Sequence, residues 1–147
     1  MKEKILVSAC LLGIDCKYSG DNNLNEKVLS YIADKEVIPI CPEILGGLST
    51  PRPPSEIIGE RVMNDENKDV TREYQKGAEE ALKLAKLFNV KKALLKAKSP
   101  SCGCGKIYDG TFSRTLIDGD GITTRLFKEN GIEVITEIDL DMKWLLS

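Results

Sequence analysis

Short apolar runs and amphipathic segments alternate along most of this chain. The runs at 4–9, 37–40, 90–97 and 132–135 are rich in Val, Ile, Leu and Ala, which predicts four buried β-strands. Pro39 cannot donate a hydrogen bond to a neighbouring strand, so we expect the second strand at a sheet edge or ending there.

Three further segments carry apolar side chains at helical spacing, and each begins near a good capping residue. They are 24–32 after Asn22 or Asn23, 72–88 with Asp69 and Thr71 at its start, and a segment through Leu126 and Phe127 after Asp120 or Thr123. Asn130-Gly131 is typical of a left-handed helix end. A further short helix is expected around Trp144 in the tail.

Two segments are predicted to be loops. Residues 42–70 contain Gly46-Gly47 and the run from Pro51 to Pro54, which argue against regular structure through most of the segment. We interpret this Gly/Pro-rich loop as a cover over an active site. Residues 99–105 have almost no side-chain bulk, and a short extended piece is expected at 111–116.

The order β-α-β, long loop, α-β, loop, α-β predicts the α/β fold class. We expect a single Rossmann-like domain over residues 1–147, with a mostly parallel sheet and covering helices. Right-handed crossovers would place the carboxyl end of every strand at one edge of that sheet. A chain of 147 residues is large enough to bury its own core.

Composition narrows the class of partner. The formal net charge of −2 offers no basic excess for binding a nucleic acid polymer. No apolar run is long enough for a membrane span or a secretory signal, so we expect a cytoplasmic protein. In a reducing compartment, the five cysteines are better interpreted as metal ligands, catalytic thiols or buried small side chains than as disulfides.

Three of these cysteines follow predicted strands. Cys10 closes the first, Cys41 closes the second, and Cys102 follows the third by a short loop. Parallel strands would bring the three thiols to the sheet edge where α/β proteins bind ligands. The chain has no histidine, and clustered thiolates without imidazole indicate soft-metal or iron–sulfur chemistry. Each cysteine taken singly could equally be a buried small hydrophobe.

The sequence leaves the roles of two cysteines open. Cys16 lies in the first loop and could be a ligand, a reactive thiol or packing; Cys104 is separated from Cys102 by one glycine and could bind the same metal. A zinc site built from four thiols is chemically sound, although the chain lacks the close CxxC-type pairs usual in structural zinc sites.

Three polar residues are candidates for catalysis or substrate binding beside the thiols. Glu43 could act as a general acid or base or be a solvated carboxylate, and Ser101 could bind or protonate a substrate or satisfy loop amides. Arg52, held between prolines, is a candidate clamp for an anionic substrate.

Several sequence motifs together resemble those of the thiouracil desulfidase family, long catalogued only as a domain of unknown function. They are Ser8-Ala-Cys-Leu-Leu-Gly13, Tyr18-Ser-Gly20, Cys41-Pro-Glu-Ile-Leu-Gly-Gly-Leu-Ser-Thr-Pro-Arg-Pro-Pro54, Asp69-Val-Thr71, Lys96-Ala-Lys-Ser-Pro-Ser-Cys-Gly103 and Tyr108-Asp-Gly-Thr-Phe112. The resemblance spans roughly residues 4–136, in the family's order.

The resemblance implies a [4Fe–4S] cluster held by Cys10, Cys41 and Cys102, with the fourth iron open to substrate. It places Glu43 and Ser101 where proton transfer is assisted. The implied reaction removes sulfur, as hydrosulfide, from 2-thiouracil or 4-thiouridine monophosphate, hydrolytically and without net redox change. Cys16 and Cys104 are less favoured as ligands.

Two alternatives belong to other functional classes. A sulfur-handling or cluster-carrier protein without turnover would tolerate Glu43→Gln, whereas an enzyme would lose activity and keep its cluster. A zinc-stabilised ligand-binding domain would be colourless and contain no labile sulfide. The sequence does not set the oligomeric state.

Overall fold

The computed structural model describes residues 2–140 of the chain. The helix predicted around Trp144 lies outside the described residues. The strands are β1 Lys4–Ser8, β2 Glu36–Ile40, β3 Ser55–Ile58, β4 Arg61–Asn64, β5 Lys92–Leu95, β6 Lys106–Tyr108, β7 Leu116–Asp118 and β8 Glu133–Thr136. The helices that lie wholly within this range are α1 Glu26–Ile32, α2 Pro42–Leu45, α3 Thr71–Leu87 and α4 Ile122–Glu129, with a 3-10 helix at Ala9–Leu12, and residues 137–140 are also helical.

The central sheet has the strand order β2-β1-β5-β8, and every neighbouring pair is parallel. The predicted α/β class with a mostly parallel sheet is therefore confirmed. Strand β2, which contains Pro39, lies at one edge, where a missing donor costs no ladder hydrogen bond.

Strand β1 shows why both faces of this sheet must be covered. Ile5, Leu6 and Val7 are fully buried, and successive side chains of a strand point to opposite faces. Ile5 and Val7 pack with Val28 of α1 on one face. Leu6 packs on the other face with residues of α3 and α4, namely Ala81, Ala85 and Phe127. No helix within residues 2–140 has the length and apolar character needed to cross a membrane.

The expectation that 42–70 lacks regular structure is wrong for much of the segment. Pro42 occupies the first turn of α2, where its missing N–H is tolerated. Strands β3 and β4 then form an antiparallel hairpin that turns at Gly59, whose φ is +63°. Ile57 and Val62 anchor the hairpin in an apolar cluster beside α3. The neighbouring prolines and glycines obscured these two four-residue strands.

Other boundaries also differ from the expectations. Helix α1 is capped by Asn25 rather than Asn22 or Asn23, since the Asn25 side chain accepts hydrogen bonds from two first-turn amides. Strands β6 and β7 form a second antiparallel hairpin, and most of 111–116 is its connecting loop.

The two later helices begin close to where they were predicted. Helix α3 starts at Thr71 as predicted, but its N-cap is Val70, which makes no side-chain cap, rather than Asp69 or Thr71; the Asp69 side chain accepts the Thr71 amide. Helix α4 begins at Ile122 after Gly121, rather than after a side-chain cap. Gly131, with φ +76°, ends α4 in the expected left-handed conformation.

Candidate active site

Three thiols meet at the carboxyl edge of the central sheet. Cys10 lies in the 3-10 helix after β1, Cys41 directly follows β2 at the start of α2, and Cys102 lies in the loop after β5. Strand β1 pairs with both β2 and β5, which brings the three segments side by side. Cys10 is close enough to both other thiols to interact electrostatically with each.

Cys16 joins this group and connects two of its members. The side chain is buried, and its thiol lies beside those of Cys10 and Cys41. The Cys41 thiol donates to the Cys16 carbonyl at 3.8 Å. The nearby Cys16 thiol lowers the pKa of Cys10 below its usual range and lowers that of Cys41 to about 7, whereas the pKa of Cys16 itself is raised.

Cys102 is a buried thiol of the group, 5% exposed. Burial raises its pKa to about 12, because a thiolate there would lose its hydration. Ser8 of β1 partly offsets this, since its hydroxyl donates to the Cys102 sulfur at 3.6 Å. The Ser8 oxygen is itself oriented by the Lys96 amide at 2.9 Å.

Cys104 lies apart from the other four cysteines. Its thiol donates to the carbonyl oxygen of Val134 on β8 at 3.8 Å and lies beside Lys128 of α4. Burial raises the pKa of Cys104 above its usual range. One intervening glycine thus separates two cysteines that face different surroundings.

Glu43 is held in the first turn of α2 by two donors, one for each carboxylate oxygen. Arg52 Nη2 donates to Oε2 at 3.1 Å, and the hydroxyl of Tyr74 on α3 donates to Oε1. Glu43 also interacts electrostatically with Cys102, which places the carboxylate beside the thiol group. Glu43 is therefore a fixed, hydrogen-bonded carboxylate and not the solvated carboxylate that the sequence also allowed.

Arg52 is a buried arginine, only 7% exposed. Besides Glu43, its terminal nitrogens donate to the Cys16 carbonyl at 2.8 Å, the Ser49 carbonyl at 3.1 Å and the Thr50 hydroxyl at 3.0 Å. Within residues 2–140 the Nε–H of Arg52 has no hydrogen-bond partner. The guanidinium therefore ties the loop carrying Cys16 to α2 and keeps one donor free.

Ser101 is buried beneath the start of α4. Its hydroxyl pairs with that of Thr123 at 2.9 Å, and the Thr124 hydroxyl donates to the Cys102 carbonyl at 2.8 Å. A side chain at Gly121 would come within 2.4 Å of Ser101 backbone atoms, so only glycine permits this approach. The loop carbonyls of Pro100, Ser101 and Gly103 accept the first amides of α4.

Sequence reasoning did not identify Tyr74 or Ser8. Tyr74 shares the small-residue stripe of α3 with Ala78, Ala81 and Ala85. A tyrosine within a buried alanine stripe needs a partner for its hydroxyl, and that was the available signal. Ser8 occupies the last position of an apolar strand, where a hydroxyl likewise requires a partner.

A family model described as 2-thiouracil desulfurase matches residues 5–139. The chain belongs to the 2-thiouracil desulfurase family. The resemblance noted in the sequence motifs is thereby confirmed.

Two relatives extend this comparison. An uncharacterized protein of Bacillus subtilis (strain 168), YbbK, is 46% identical to this chain over 93% of it and 97% of the relative. The solved structure of the [4Fe-4S]-dependent thiouracil desulfidase TudS matches with a TM-score of 0.86 and 42% identity, over 99% of this chain and 100% of that one.

Within residues 2–140, no group of three or more Cys, Asp or Glu side chains is arranged to hold a single metal ion.

Proposed function

We propose that this protein is an iron–sulfur-dependent desulfidase that removes sulfur from thiolated uracil compounds, namely 2-thiouracil or 4-thiouridine monophosphate, and releases it as hydrosulfide. The observation that carries the proposal is the convergence of three buried or half-buried thiols at the sheet edge beside a paired carboxylate. Family membership and the likeness to the [4Fe-4S]-dependent thiouracil desulfidase TudS support it.

The donor set fits a [4Fe–4S] cluster. Cys10, Cys41 and Cys102 would hold it as thiolates, which are the ligands such clusters take. Ser8 already directs a hydrogen bond at the Cys102 sulfur, and the Cys16 thiol lies beside Cys10 and Cys41; hydrogen-bond donors next to thiolate ligands stabilise them. When bound through three cysteines, the cluster supplies a thiophilic Lewis acid that binds and polarises the thiocarbonyl group.

Around that centre, Glu43 takes the proton of the attacking water. Its carboxylate then passes a proton to the departing sulfur. Ser101 is proposed to assist this proton transfer through its hydroxyl, which is buried and paired with that of Thr123. Water supplies the oxygen that replaces sulfur, so the overall change from C=S to C=O with release of hydrosulfide is hydrolytic. No electron is gained or lost.

Substrate binding is assigned to Arg52 and to the segment 42–60. Arg52 supports substrate binding through its position beside Glu43, where its guanidinium contributes positive charge to the site; its Nε–H is buried and its terminal nitrogens are engaged within the protein. The preference is for a small thiolated pyrimidine or its nucleotide rather than a nucleic acid polymer, because the chain has no basic excess. A reducing cytoplasm would keep the thiols available.

The first experiment compares Cys102→Ala with its neighbour Cys104→Ala after purification without oxygen. Unmodified protein and Cys104→Ala are expected to contain about four iron and four labile sulfide per chain and to desulfurise 2-thiouracil or 4-thiouridine monophosphate. Cys102→Ala should lose the cluster and turnover. Bound zinc without sulfide in the unmodified protein would refute the proposal.

Glu43→Gln separates an enzyme from a cluster carrier. The enzyme should keep its iron, its sulfide and its visible absorption while turnover falls about 100-fold or more, the range of a lost general base. Unchanged turnover would remove Glu43 from the mechanism. A loaded wild-type protein that releases no hydrosulfide from either substrate would favour the carrier.

A further inference from the structure

Tyr74 carries a buried hydroxyl on a ring that packs against apolar side chains, and the polar groups near this hydroxyl are Glu43, Ser55 and Arg52. The side chain is 2% exposed and lies on α3. Its neighbours in the packed cluster are Ile57, Val62, Val70 and Ile107. Burying an unpaired hydroxyl is costly, and this one instead donates to Glu43 Oε1. Packing alone would be satisfied by phenylalanine, so the hydroxyl requires a separate explanation.

The helices that carry Tyr74 and Glu43 touch through glycine. A Cβ atom on Gly46 would lie 1.9 Å from the Glu73 carbonyl oxygen, and one on Gly77 would lie 1.9 Å from that of Pro42. Both distances are far below contact, so α2 and α3 approach backbone to backbone. This approach brings Glu43, in the first turn of α2, within reach of the second turn of α3.

Tyr74 and Arg52 hold the carboxylate from opposite sides. With Oε1 bound by the phenol and Oε2 by the guanidinium, rotation of the carboxylate breaks one bond or both. We propose that Tyr74 is a positioning residue that fixes the Glu43 carboxylate in its working orientation. This inference rests on the proposed function, in which Glu43 handles the protons.

The raised pKa of the Tyr74 hydroxyl agrees with its role as a hydrogen-bond donor to Glu43. Burial, together with the nearby charge of Glu43, raises the pKa of Tyr74 well above its usual range. The phenol therefore keeps its proton near neutral pH and acts as the hydrogen-bond donor to Glu43.

The test is Tyr74→Phe, which removes one oxygen and keeps the ring. We expect iron, sulfide and visible absorption to be unchanged, with kcat reduced about 10- to 100-fold and KM within about twofold, because misplacing a reacting group costs up to about 100-fold. Tyr31→Phe is the matched control. Tyr31 lies against Lys35 and Lys92, away from Glu43, and its loss should leave kcat unchanged.

A double variant distinguishes positioning from general structural support. In protein already carrying Glu43→Gln, Tyr74→Phe should lower kcat no further, because the carboxylate it orients is gone. In the cluster-free protein, the losses in melting temperature for the two substitutions should also be less than additive. Additive losses in both measurements would overturn the inference.

The remaining outcomes are distinguishable. Normal kcat in Tyr74→Phe alongside a strong loss in Glu43→Gln would refute the role of Tyr74 and leave the proposed function standing. Normal kcat in Glu43→Gln would refute the role of Glu43 and, with it, this inference. Loss of the cluster in Tyr74→Phe would show a structural role and also overturn the inference.

Discussion

At the scale of single residues, the site is organised by side chains that are not proposed ligands of the cluster. The Arg52 guanidinium serves three backbone or hydroxyl acceptors and one carboxylate, all within the protein. The planar guanidinium group of arginine offers several donors in fixed directions. Lysine has a single ammonium group and cannot reproduce this pattern. The sequence suggested an anion clamp between prolines, and the anion that Arg52 holds here is Glu43 of its own chain.

Arg52→Lys tests this organisation. A lysine leaves several buried acceptors without donors, so the free energy of unfolding should fall by about 1–3 kcal/mol. Turnover should also fall, because Glu43 loses one of its two anchors. Urea unfolding and kcat measure the two effects.

Arg61→Lys is the control for that substitution. The side chain of Arg61 is 74% exposed, and its nearest carboxylate oxygen, on Asp69, lies 3.9 Å away. Water screens such an exposed ion pair, which contributes little to stability, so this variant should behave like the wild type. Equal losses in both variants would contradict the view that the Arg52 guanidinium is specifically required.

At the scale of elements, the close contact of α2 with α3 decides where Glu43 lies. Gly77 has no φ that demands glycine, so its requirement comes from space alone. In an exposed helix, glycine to alanine would add about 1 kcal/mol of stability through helix propensity. Here the added methyl would meet the Pro42 carbonyl, and the steric effect should dominate.

Gly77→Ala is therefore expected to destabilise the fold by about 1–3 kcal/mol, the usual cost of overpacking. It should also reduce kcat, because α2 must move away from Tyr74 and carries Glu43 with it. The control is Lys76→Ala, an exposed neighbour on the same helix. Greater stability in Gly77→Ala than in the wild type, with normal turnover, would show that the two helices separate without consequence.

At the scale of the whole molecule, the parallel sheet gathers residues that are distant in sequence. Cys10, Cys41 and Cys102 follow three adjacent strands, so a group bound to all three would join β2, β1 and β5 at their carboxyl ends. Such a group binds the folded chain better than the unfolded one and stabilises the fold by linkage.

Removing the cluster should therefore lower the melting temperature. For a protein of this size, each kcal/mol lost corresponds to roughly 2–4 °C. Cys104→Ala should show the same drop on cluster removal as the wild type, whereas Cys102→Ala should show none. Calorimetry on loaded and stripped protein, without oxygen, measures the difference. Equal melting temperatures before and after stripping would mean that the cluster does not bridge the strands.

Much of the fold follows from local patterns. The four central strands and the three longer helices were predicted because their apolar periodicities are strong, and the edge position of β2 followed from Pro39. The β3–β4 hairpin was missed because its strands have four residues each and lie among prolines and glycines. At that length, local preference is weak, and packing of Ile57 and Val62 beside α3 determines the structure.

The sequence by itself determined the sheet, the order of its elements and the chemistry of its thiols, because periodicity and residue type are local properties. Only the tertiary structure decided that Cys16 belongs with Cys10 and Cys41 while Cys104 does not. It also decided that Tyr74 and Arg52 share one carboxylate. These facts depend on the packing of segments far apart in the chain, which spacing along the sequence does not encode.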